Sequence, residues 1–103
     1  MIMEIRTSKY LEKCLSNDSI LKRDYGCLAP KIKASISVLV VADNLGEVPN
    51  VPPTRRHKLS GKYDGCWALD LNRNYRLIIR PTARTEDVSS IREVEIIDIV
   101  DYH

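Results

Sequence analysis

Phenylalanine is absent from this 103-residue chain, tryptophan occurs once and histidine twice. Aromatic packing is therefore thin, and a core has to be built mainly from aliphatic side chains. Proton transfer near neutral pH has only His57 and His103 to rely on. Cys14, Cys27 and Cys66 are odd in number and lack a CxxC spacing, which argues against both a disulfide framework and a zinc site. They read as small apolar groups of a reduced, cytoplasmic protein, with Cys66 in or near a sheet. The longest apolar stretch, Val38 to Ala42, is far too short to cross a bilayer. The opening MIMEIRTSKY lacks the apolar segment of a secretory signal. No Gly-rich phosphate loop, HExxH or GxSxG is present, so the residues imply no metal and no cofactor.

What remains is ordinary globular material. With 44% hydrophobic and 29% charged residues, the chain is rich enough in apolar groups to bury its own core, and residues 1–103 read as one domain. Met1 to Ile5 suggests a short first strand. Tyr10, Leu11, Cys14, Leu15, Leu21 and Tyr25 then recur at helical spacing, with Ser16-Asn17-Asp18 as a weak point where the helix frays or splits. Gly26 is a natural terminator and Pro30 a natural helix start. The segment from Ile32 to Ala42 is ambiguous. Ile32, Ile36, Leu39 and Val40 fit a helix, while Ser35-Ile36-Ser37-Val38 alternates like a strand; Pro30 and the closing Asn44-Leu45-Gly46 favour the helix.

Pro49-Asn50-Val51-Pro52-Pro53 continues neither element and marks an extended connector. Beyond it, His57 to Arg80 is the organising stretch: a basic lead-in, a strand containing Trp67, and a second strand from Tyr75 to Arg80. Asn72-Arg73-Asn74 supplies the turn of a hairpin, because Asn tolerates left-handed backbone. Ala83 to Ser90 is a polar loop, and Glu93 to Asp101 makes a long last strand. The order of elements predicts an α+β fold, with helices against one face of a mostly antiparallel sheet.

Charge is unevenly spread. Between residues 55 and 80 seven cations (Arg55, Arg56, Lys58, Lys62, Arg73, Arg76 and Arg80) stand against Asp64 and Asp70, whereas six anions face Arg92 alone from residue 86 onward. A cationic hairpin is the footprint of a surface that meets phosphates. If the last strand lies beside the hairpin, His57, Arg76, Tyr102 and His103 converge at one edge of the sheet. Metal-free RNA cleavage asks for that set: a base for the 2′-hydroxyl, a fixed cation for the phosphorane, an acid for the leaving oxygen, and a ring that holds the nucleotide. The same residues admit plainer roles. His57 can lie on a wet loop, Arg76 can bridge to Glu95, Tyr102 can close the core, and the basic surface can serve an acidic protein.

The run HKLSGKYDGCWALDLNRNYRLIIRP, preceded by ADNLGEVPNVP and closed by EVEIIDIVDYH, resembles the HigB-like plasmid-maintenance killer proteins of the RelE/ParE toxin superfamily. The likeness extends over nearly the whole chain and is most specific in the H-x-L-x-G…W…N-Y-R-L core and the terminal D-Y-H. It implies a β-α-α-β-β-β RelE/ParE-like order and makes the ambiguous segment a helix. It also implies the toxin of a type II toxin–antitoxin pair, which cuts mRNA on the ribosome without a metal. The partner it implies is a small HigA-like, helix-turn-helix antitoxin in a hetero-oligomeric complex. By position, His57 matches the proton-transfer histidine, Arg76 the arginine that meets the scissile phosphate, and Tyr102 and His103 the terminal pair that orients or protonates the substrate. Arg55, Arg56, Lys58, Lys62 and Arg73 are the expected RNA-backbone contacts.

One position departs from the pattern. Ser60 stands where H-x-L-K-G has a lysine, and losing one fixed donor at such a site costs on the order of 100- to 1000-fold in rate. On a regular strand Lys58 and Lys62 share the face of Ser60, so either is placed to substitute. Two rivals follow: a non-catalytic, ParE-like gyrase poison, and a degenerate toxin that only binds its antitoxin.

Overall fold

A computed structural model describes residues 3–83, 85 and 87–101. Strand β1 (Glu4–Thr7) leads into α1 (Lys9–Ser16), whose first turn is closed by the Ser8 hydroxyl accepting the Leu11 N–H at 3.2 Å. The expected first helix does split. Asn17 adopts an extended conformation, ends α1, and turns its side chain to cap α2 (Asp18–Tyr25) by accepting the N–H groups of Ser19 and Ile20. The chain reverses there, because the Tyr10 hydroxyl on α1 reaches the Asp24 carboxylate on α2 at 2.6 Å.

Gly26, at φ +54, closes α2, and one 3₁₀ turn leads to α3 (Ala29–Val41), with Pro30 in its first turn. The ambiguous segment is thus a helix, with Ile32, Ser35 and Leu39 on its buried side. Three helices replace the two expected, and the first strand lies at Glu4–Thr7 rather than Met1–Ile5; Met1 and Ile2 fall outside the described residues.

The sheet contains β2 (His57–Lys58), β3 (Trp67–Asp70), β4 (Tyr75–Pro81) and β5 (Glu93–Asp101), ordered β1-β5-β4-β3-β2. All neighbours are antiparallel except β1 and β5, which run parallel. The β3–β4 hairpin has the expected register, with Asn72 Oδ1 accepting the N–H groups of Asn74 and Tyr75 inside the turn. Strand β2 is an element the family order did not include. It ends at Lys58 and is followed by a 3₁₀ turn at Gly61–Tyr63, so the regular strand expected to align Lys58, Ser60 and Lys62 does not exist.

Both faces of the sheet are packed. The main core lies between the helices and Leu69, Leu77, Ile79, Val94, Ile96 and Ile99. A smaller cluster of Leu59, Cys66, Ala68 and Ile78 covers the opposite face, flanked by Tyr63, Ile97 and Val100. A bulge makes the second cluster feasible: Ile78 faces Asp98 while Ile79 faces Ile96, leaving Ile97 as an extra residue on β5. The extra residue reverses the alternation, so Ile96 and Ile99 both reach the main core and Val100 joins the other side. None of the three cysteines forms a disulfide, and Cys66 lies at the entrance to β3, where burial pushes its thiol pKa up.

Candidate functional site

Residues directly opposite one another across paired strands share a face. His57 lies opposite Ala68, which lies opposite Ile78; Asp70 lies opposite Arg76, which lies opposite Val100. Ala68, Ile78 and Val100 all belong to the cluster away from the helices, so His57, Asp70 and Arg76 share that helix-free face. His57 and Arg76 are separated by the width of β3, roughly 10 Å from strand to strand, and by two residues along the strands.

The imidazole is oriented. Its Nδ1 lies 2.7 Å from the Arg55 carbonyl oxygen. A carbonyl only accepts, so Nδ1 carries a proton and donates it, which turns Nε2 away from this contact. Arg55 itself is held in left-handed backbone at φ +46, which costs a non-glycine residue about 1–2 kcal/mol and needs compensation from its surroundings. The compensation is visible. Arg55 donates Nε to Asp70 Oδ2 at 2.6 Å and Nη2 to Asp70 Oδ1 at 3.2 Å, while its amide N–H reaches the Val51 carbonyl at 2.9 Å. The Asp70 carboxylate raises the pKa of this guanidinium further.

Asp70 also serves Arg76, whose Nε lies 2.8 Å from Oδ1. That contact is an ion pair rather than a directed hydrogen bond, and the buried Arg76 Nε–H is left without a hydrogen-bond partner. Arg76 Nη1 donates to the carbonyls of Asn72, Arg73 and Tyr75 at 2.9, 3.3 and 3.0 Å, clasping the hairpin turn. Arg76 pairs with Asp70 rather than bridging to Glu95; the arginine that does reach Glu95 is Arg80.

The other expected residues spread outward from this group. Arg56 donates Nε to the Val48 carbonyl at 2.9 Å and lies over the Trp67 ring at 5.1 Å; burial lowers its pKa. Lys58 is exposed opposite Trp67, Lys62 lies 5.4 Å over the Tyr63 ring, and Arg73 is exposed in the hairpin turn. Tyr102 and His103 lie outside the described residues, the last of which, Asp101, pairs with Tyr75 beside the Arg76 row.

Asp70 is the participant that sequence reasoning passed over. It was counted only as one anion in a basic stretch, yet the tight turn at Asn72–Asn74 sets Asp70 opposite Arg76, a pairing the hairpin register already contained. Together the cluster presents two guanidinium groups, one carboxylate and an oriented imidazole on one face. The two guanidinium groups and one carboxylate leave a balance of one positive charge, with the Arg76 Nε buried against Asp70 Oδ1.

No protein-family model matches the chain, and no curated protein matches its sequence significantly. Solved structures do match. A YoeB/ParE toxin from Agrobacterium tumefaciens superposes with a TM-score of 0.60 at 15% identity, covering 98% of this chain and 100% of that one. A YoeB–YefM complex from Staphylococcus aureus gives 0.56 at 16% identity, covering 100% and 99%. A heterotetrameric YoeB–YefM toxin–antitoxin complex from the same organism gives 0.56 at 14% identity, again covering 100% and 99%. Over its full length, then, the chain has the α+β fold of YoeB and ParE toxins.

Proposed function

We propose that this protein is the toxin of a type II toxin–antitoxin pair, of the HigB-like branch, and that it cleaves mRNA on the ribosome. The observation that carries the reading is the oriented His57 imidazole, sharing the helix-free face with the Arg55–Asp70–Arg76 cluster. In the reaction, His57 Nε2 takes the proton of a 2′-hydroxyl and the freed oxygen attacks the adjacent phosphorus. The new P–O bond forms as the bond to the 5′-oxygen breaks, leaving a 2′,3′-cyclic phosphate and a 5′-hydroxyl. Arg76 stabilises the phosphorane, His103 protonates the leaving oxygen, and Tyr102 holds the nucleotide. Lys58, Lys62 and Arg73 meet the RNA backbone, while Arg55 and Arg56 brace the strands beneath it. A helix-turn-helix, HigA-like antitoxin is the proposed partner, in a hetero-oligomer; the heterotetrameric YoeB–YefM complex is the supporting precedent for such an assembly.

Inducing the protein without its antitoxin and mapping cellular mRNA ends tests this. New 5′-hydroxyl ends that disappear in His57→Ala are expected, whereas growth arrest with intact message overturns the nuclease reading. The likeness to a structure described as a YoeB/ParE toxin keeps one alternative, a gyrase poison. A supercoiling assay separates the two, because a poison traps DNA breaks and a ribonuclease does not.

A further inference from the structure

A cleft of about 560 Å³ opens at the end of the β3–β4 hairpin remote from its turn, bordered by Lys58, Asp64, Gly65, Trp67, Arg80 and Pro81. Its volume falls within the range of small-molecule sites, roughly 300–1,000 Å³. Trp67 is the unusual member. Its neighbours Cys66, Ala68 and Leu69 are fully buried, yet the largest side chain of the strand stays half-buried and borders open space. Arg56 lies over its ring at 5.1 Å and the indole also packs against the main core, so the cleft meets the part that both leave uncovered. Two cations, Lys58 and Arg80, line the same cleft as the indole, and Asp64 adds a carboxylate to its wall. Arg80 is already steered by Glu95 Oε1 at 2.5 Å, a pair exposed enough to exchange for a phosphate.

We propose that this cleft is a nucleotide subsite, in which a nucleobase stacks on Trp67 and its phosphate lies between Lys58 and Arg80. An aromatic platform with adjacent cations is the arrangement that holds single-stranded nucleic acid, since every base has a π-face and every nucleotide a charge. Trp67 lies three residues along β3 from Asp70, roughly 10 Å. Three residues reverse the face of a strand, so Trp67 and its partner Lys58 lie on the helix side of the sheet, away from the His57 face; the mononucleotide site stands independently of the ribonuclease reading.

The chain contains no other tryptophan, so fluorescence excited selectively at tryptophan, apart from the five tyrosines, reports on this cleft. The full chain is titrated with 5′-mononucleotides, with the same nucleosides, and with ribose 5-phosphate. Saturable quenching by the mononucleotides is expected, at least tenfold weaker with nucleosides and absent with ribose 5-phosphate. Lys58→Ala/Arg80→Ala should weaken the mononucleotide response at least tenfold with an unchanged circular-dichroism spectrum. No saturable quenching, or equal quenching in the double variant, overturns the subsite. Equal quenching by ribose 5-phosphate also overturns it, as that marks a plain anion site. The two readings fail separately: message cleavage without quenching removes the subsite only, and quenching with intact message removes the ribonuclease reading only.

Discussion

Asp70 has a side chain only 18% exposed and touches two guanidinium groups, one on each neighbouring strand or strand entrance. It holds Arg55 in a backbone conformation that an arginine otherwise avoids, and through Arg55 it fixes the carbonyl that orients His57. Asp70→Ala should therefore act twice. Losing a charge-assisted contact lowers stability by about 2 kcal/mol, read as a shift in urea midpoint. RNA cleavage falls as well, because both the imidazole and Arg76 lose their anchor. If Arg76 met the phosphate independently, Asp70→Ala would leave the cleavage rate unchanged. Ser60 calls for the opposite experiment. It is exposed, in extended backbone just before the Gly61 turn, so Ser60→Lys disturbs no packed contact and should leave stability within about 0.5 kcal/mol. A missing fixed cation predicts that cleavage rises, on the order of 100-fold. An unchanged rate would mean that Lys58 or Lys62 already supplies the charge.

At the scale of elements, the α1–α2 reversal depends on a polar clasp rather than on core alone. The Tyr10 hydroxyl donates to Asp24 Oδ2 and Arg23 Nε donates to Oδ1 at 3.1 Å, and both hold the Asp24 carboxyl below the ordinary carboxylate range, Tyr10 more strongly. The same contact raises the Tyr10 pKa. A carboxyl with a depressed folded value contributes stability that is complete above its unfolded pKa, about 4, and is lost as pH falls through the lower folded value. Tyr10→Phe should thus be less stable than the parent at pH 7, with the gap closing under strong acid. A gap that persists undiminished in acid would assign the loss to packing instead. The split helix was legible because Asn17 caps well in only one way. The bulge at Ile97 was not legible, since one additional residue in an apolar run leaves no mark of its own, and neither was the second cluster that depends on it. The hairpin itself was plain from Asn72-Arg73-Asn74 and the flanking alternation, while Asp70 escaped because counting charge ignores who stands opposite whom.

Across the whole molecule the sheet sorts its charges. At the β1–β5–β4 end, Arg6 pairs with Glu93 at 2.8 Å and Arg80 with Glu95, so the two glutamates of β5 are paired from both sides. The β2–β3–β4 end has Lys62 and Arg73 exposed around a cluster whose single carboxylate is already shared by two arginines. Positive potential therefore concentrates around the oriented imidazole, where an RNA phosphate is proposed to dock. Binding of single-stranded RNA then has to weaken with salt, with log affinity falling by about 0.7 per phosphate neutralised for each unit of log salt. Anisotropy of a labelled oligoribonucleotide between about 50 and 200 mM salt reads that slope. Lys62→Glu and Arg73→Glu should each flatten it by about 0.7, leaving the fold untouched because neither side chain is buried. Arg6→Glu, at the neutralised end, should leave it unchanged. A slope indifferent to Lys62 and Arg73 but sensitive to Arg6 would move the RNA to the opposite end of the sheet, away from His57.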